Sequence, residues 1–65
     1  MSRVQEGDRV RMTGTMRDDP QPMEVGAEGT ITFVNEGPGF AQYGVKWDNG
    51  RTLMLLPDDP FIVIH

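Results

Sequence analysis

The chain has no cysteine, and its only histidine is His65. The first absence excludes disulfides and thiolate zinc sites. The second excludes a His-pair metal motif and leaves Ser2 and the threonines without a general base in any recognisable pattern. No metal site, no cofactor and no catalytic residue is expected, and the chain reads as a non-enzyme. No apolar run approaches the roughly 20 residues of a membrane span. The N-terminus lacks the basic-then-apolar layout of a signal peptide. These two absences together lead to the expectation of a soluble, cytoplasmic protein. There is no internal repeat, no low-complexity tract and no sustained helical period.

At 65 residues the chain is one domain. A chain this short buries only about 60% of the surface its unfolded form exposes. Its core contributes roughly 3–5 kcal/mol net. With no covalent or metal staple, adequate stability has to come from good packing or from self-association.

The formal net charge of −4 argues against generic nucleic-acid binding, which needs cations to displace counterions from phosphate. The charge is uneven. Residues 1–17 set Arg3, Arg9, Arg11 and Arg17 against Glu6 and Asp8, whereas residues 18–65 hold only Lys46 and Arg51 against eight acids.

What is present is a series of short β patterns cut by glycine and proline turns. Residues 1–6 are polar and read as a flexible N-terminus, leaving 7–65 as the domain. A first strand from about Asp8 to Thr13 turns Val10 and Met12 to one face and Arg9 and Arg11 to the other. Residues 14–26 form a long first loop, because Pro20 and Pro22 are incompatible with a helix or a central strand. A second strand, about Gly29 to Val34, sets Thr30, Thr32 and Val34 opposite Ile31 and Phe33. Residues 35–39 read as a turn, and a third strand follows from Ala41 to Trp47 with Tyr43, Val45 and Trp47 on one side.

Asn49-Gly50 favours the positive-φ turn of a β-hairpin. It leads into a fourth strand from Arg51 to Leu56, whose Leu53-Met54-Leu55-Leu56 run shows no alternation. A two-residue loop sets Thr52 opposite Trp47 and Met54 opposite Val45. A three-residue loop with a glycine bulge sets Leu53 opposite Trp47 and Leu55 opposite Val45. One residue of slip exchanges the faces. The bulged form is preferred, because Leu53 and Leu55 make the better core pair. Pro57-Asp58-Asp59-Pro60 reads as a short 3-10 turn, and a last strand from Phe61 to Ile64 closes the sheet against the first.

Gly7-Asp8-Arg9-Val10-Arg11, Asp19-Pro20, Gly26-x-x-Gly29-Thr30-Ile31 and Val45-Lys46-Trp47-Asp48-Asn49-Gly50-x-x-Leu53-x-Leu55 together resemble a family of small bacterial and phage-associated SH3-like barrels of unknown function. The resemblance spans about Gly7 to Phe61. It implies an all-β, five-stranded SH3-like barrel with a long first loop and a 3-10 turn before the last strand. It implies no activity. The opening Gly-Asp-x-Val-x-Met and the later Gly-x-x-Gly-x-Ile are also similar to KOW modules, which often bind RNA or transcription factors. The Gly-Asp-Arg-Val-Arg start is similar to the plasmid-type dihydrofolate reductase barrel. That enzyme needs a glutamine and a tyrosine where this chain has Leu53-Met54-Leu55-Leu56, so its pore activity is not carried over.

Three surfaces are candidates for function. Asp18 and Asp19 in the first loop, with Tyr43, Asp58 and Asp59, compose an acidic face for a protein partner that carries a basic segment. The competing reading of the aspartates is turn chemistry, since Asp before Pro suits turns and caps. Arg9, Arg11 and Arg17 compose a basic stripe for RNA or DNA, against the plainer reading of a solvated face. Met54 and Leu56 compose a surplus apolar strip that fits a homo-oligomer interface. Trp47 reads as core. The first surface is preferred, and with it a protein–protein interaction module.

Overall fold

The computed structural model describes residues 4–16 and 20–64. The chain is all-β, with none of the described residues in a helix. Strands β1 (Arg9–Met12), β2 (Glu28–Gly37), β3 (Phe40–Trp47) and β4 (Phe61–Ile64) form one antiparallel sheet in the order β3-β2-β1-β4.

Strand β1 follows the alternation of its sequence. Val10 and Met12 are buried, Arg11 is exposed and Arg9 is half-buried. Strand β4 pairs with it as expected, with Val10 opposite Val63 and Arg11 opposite Ile62.

Strand β2 runs further than its β-branched stretch. It reaches through Asn35 and Glu36 to Gly37, and a two-residue Pro38-Gly39 loop joins it to β3. Gly39 takes a φ of 80°, the left-handed value that the second central position of a type II turn requires. The register of β2 on β3 shifts between Ile31 and Phe33, where Thr32 is the extra residue of a bulge. That corrects the expected faces. Ile31 is buried, but beyond the bulge Phe33 turns outward and Val34 packs on the core. The Phe33 ring then covers Gly44, where a Cβ would collide with it.

The core consists of Val10, Met12, Met16, Met23, Ile31, Val45, Trp47 and Leu55. Gly29 lets β2 approach β3 closely beside it. A Cβ there would lie 2.7 Å from Val45 Cγ1 and 2.9 Å from the Lys46 carbonyl oxygen. Met16 and Met23 bring the long first loop into the interior, and the Met23 N–H lies 3.4 Å from Met16 Sδ. Arg51 fastens that loop to the hairpin by donating to the Gln21 carbonyl at 2.8 Å. Val4 also packs against the core, and a turn over residues 5–8 places it there.

The β3 hairpin closes through a three-residue loop. The Gly50 N–H donates to the Trp47 carbonyl at 3.0 Å, Gly50 has a φ of 91°, and the Trp47 N–H donates to the Arg51 carbonyl at 2.9 Å. Loop length and inward face agree with the bulged form. The partners are displaced by two residues from the expected ones: Tyr43 faces Leu55 and Lys46 faces Thr52, which sets Leu53 against Val45. Leu55 is fully buried and Leu53 half-buried, whereas Met54 and Leu56 are 42% and 48% exposed.

The segment 51–56 is not a continuous strand, contrary to expectation. It touches β3 at single rungs. A short turn follows, as expected over residues 57–60, and a single bond from the Asp59 N–H to the Leu56 carbonyl at 3.0 Å closes it without extending into a 3-10 helix. The Asp59 carboxylate accepts the Leu56 N–H in return, at 2.8 Å.

Candidate functional site

Three features of the surface follow from this register. The first is an ion network on the outer face of the sheet. Arg9 on β1 faces Thr30 on β2, which faces Lys46 on β3. That places Arg9 within reach of the start of β2 and the end of β3. Its guanidinium holds Asp48 in a two-pronged contact at 2.8 and 2.6 Å, and also donates to Thr30 Oγ1 at 3.1 Å and Glu28 Oε1 at 3.2 Å. Arg11 Nε donates to Glu28 Oε2 at 3.1 Å. The hydrogen bonds to Asp48 raise the Arg9 pKa further above its ordinary value. The same bonds, with the attraction of the guanidinium behind them, hold the Asp48 carboxyl below the usual carboxylate range.

This shift has a sign. A depressed folded-state pKa contributes stability above the unfolded value, about 3.9 for Asp, and that contribution is lost as pH falls through the folded value. Asp48→Asn is therefore expected to lower the urea midpoint at neutral pH. The difference from the parent should close below about pH 4. Urea titrations between neutral and acid pH check it, and a difference that widens in acid contradicts it.

The second feature is a cleft between β3 and the segment 51–56. Ile31 directs its N–H to the Asp8 carbonyl and its carbonyl to the Gly7 N–H. Both of its peptide groups thus face away from Val45, and those of Val45 face the segment 51–56. The rungs on either side are made, Tyr43 with Leu55 and Trp47 with Arg51. Between them the Lys46–Thr52 bridge keeps the Leu53 N–H toward the Val45 carbonyl, but among the described residues no backbone bond runs from the Val45 N–H to the Leu53 carbonyl. The Leu53 carbonyl instead accepts the Trp47 indole N–H at 3.0 Å. Over this stretch, on the outer face, lies a hollow of about 300 Å³ bordered by Phe33, Gly44, Lys46, Thr52 and Met54.

The third feature is a hollow of about 310 Å³ at the other end of the hairpin, where Glu24, Glu28 and Asp48 meet the exposed Val25. Among the described residues no group of acids, with or without histidine, is arranged to hold a metal ion.

The residues singled out from the sequence are scattered over this framework. Asp18, Asp19 and Arg17 lie outside the described residues. Tyr43 is half-buried, edge-on to Phe61 with ring centroids 6.0 Å apart. Asp59 is occupied in its own turn, and Asp58 is exposed beside it. Arg9 and Arg11 spend donors on Glu28 and Asp48. Met54 borders the cleft and Leu56 lies exposed next to the β-turn. Sequence reasoning missed Glu24, Glu28 and Asp48 as neighbours. Asp48 reads as a turn residue, and only the sheet register brings it to Arg9. It also missed Lys46 and Phe33 as neighbours, since the bulge at Thr32 puts Phe33 on the lysine's face.

No helix among the described residues is long and apolar enough to cross a membrane. No curated protein and no solved structure matches the chain. The profile of a family described as Domain of unknown function (DUF4314) does match, over residues 2–63, and the chain belongs to that family.

Proposed function

We propose that this chain is a non-enzymatic protein–protein interaction module that takes a partner carrying a basic segment. The fold is read as an SH3-like barrel whose fifth strand, residues 51–56, is held by rungs at its two ends. The observation that carries the functional reading is how the charges are used. Arg9, Arg11 and Arg51 all donate to groups within the fold. Glu6, Glu24, Glu36 and Asp58 have no cationic partner among the described residues. The described arginines are thus engaged within the fold, while these four carboxylates stay without a cation among the described residues. Such a surface steers basic partners and speeds their encounter at low salt. The hollow lined by Glu24, Glu28 and Asp48 adds an exposed apolar contact, Val25, beside the acids.

The nucleic-acid reading needs Arg9 and Arg11 to leave Glu28 and Asp48, and no observation favours it. Titration of a lysine-rich peptide against the domain at low and high salt tests the choice. Binding that weakens steeply with salt is expected, together with no gel shift of single- or double-stranded probes. A gel shift at low salt without peptide binding would overturn the proposal.

A further inference from the structure

The gap beside Val45 is closed at both ends. The Tyr43–Leu55 rung bounds one side and the Trp47–Arg51 rung the other. An extended peptide therefore cannot run through it as an added strand, and a compact occupant fits better. The volume of about 300 Å³ is at the small end of ligand pockets, which span about 300–1,000 Å³. Its rim is apolar at Phe33 and Met54, both of them exposed. Val45 and Leu53 complete its lining. The border carries one cation, Lys46. The described arginines donate within the fold, whereas the Lys46 ammonium makes no hydrogen bond or ion pair among the described residues. A free ammonium beside two apolar side chains, with threonine hydroxyls at Thr32 and Thr52, is complementary to an anion with a greasy body.

We infer that the cleft between β3 and the segment 51–56 is a binding site for a small amphiphilic carboxylate. The carboxylate pairs with Lys46, and the apolar body lies between Phe33 and Met54. This site is separate from the acidic surface and stands or falls independently of it.

The test is a backbone-amide NMR titration of the whole chain with phenylacetate, and in parallel with phenylacetamide. Saturable shifts centred on Val45, Leu53 and Thr52 are expected with the acid, and much weaker ones with the amide. Lys46→Met should weaken phenylacetate binding by about tenfold or more, the scale of a lost charge-assisted hydrogen bond. Lys46→Arg should retain it. Lys46 is exposed, so neither variant threatens the fold. The inference is overturned if acid and amide bind alike, if Lys46→Met leaves affinity unchanged, or if no shifts appear at these residues.

Discussion

Trp47→Ala is expected to leave the domain unfolded at ordinary temperature. The indole is 1% exposed and sits in a core of eight buried side chains among the described residues. Truncating a buried tryptophan costs about 3–5 kcal/mol, through lost burial and the cavity left behind. A single core of this size contributes only roughly 3–5 kcal/mol net. The substitution also strips the Leu53 carbonyl of its indole donor. Trp47 is the only tryptophan, so its fluorescence cannot report on the variant. Amide NMR dispersion is the suitable measurement, and collapse to a narrow random-coil range is the expected result. A well-dispersed spectrum with an unchanged urea midpoint would show that the core does not depend on this residue. Trp47→Phe is expected to fold, because it keeps most of the packing and loses the hydrogen bond.

Leu55→Ala should be nearly as damaging, while Leu56→Ala should be close to silent. Leu55 is fully buried opposite Tyr43, and Leu56 is 48% exposed. Leucine truncation in a core costs about 2–5 kcal/mol. A surface substitution away from special features stays within about 0.5 kcal/mol. Urea midpoints of the two variants measure the contrast. The four-residue apolar run Leu53–Leu56 makes the comparison sharp, because the two leucines are adjacent and chemically identical. A reversed order would mean that the segment faces the core through Met54 and Leu56, the outcome of the two-residue loop.

Part of this fold is legible in the sequence. Val10 and Met12 alternate with Arg9 and Arg11, and the burial of β1 follows. The Asp48-Asn49-Gly50 turn announces the hairpin, and its loop length selects the face that Leu53 and Leu55 present. The pairing of Phe61–Ile64 with β1 also follows from the need to cover an edge strand. Other features are not legible, for identifiable reasons. A period-two count assumes no extra residue, so the bulge at Thr32 inverts the expected sides of Phe33 and Val34. Methionines in a proline-broken loop carry no periodicity, so Met16 and Met23 do not declare themselves as core. The ion network depends on which residues the register sets across three strands, and Asp48 offers no local hint of its tie to Arg9. The cleft is less legible still. Beside it the Trp47 indole takes the Leu53 carbonyl, a contact between side chain and backbone that no pattern of apolar residues encodes.

Native-state hydrogen exchange at single residues bears most directly on the segment 51–56, held at two rungs and open between them. The amides of Tyr43, Leu55 and Trp47 should be strongly protected, because each donates to a backbone carbonyl. That of Val45 should exchange markedly faster, despite lying between protected neighbours. Equal protection across all four amides would mean an unbroken fifth strand beside Val45.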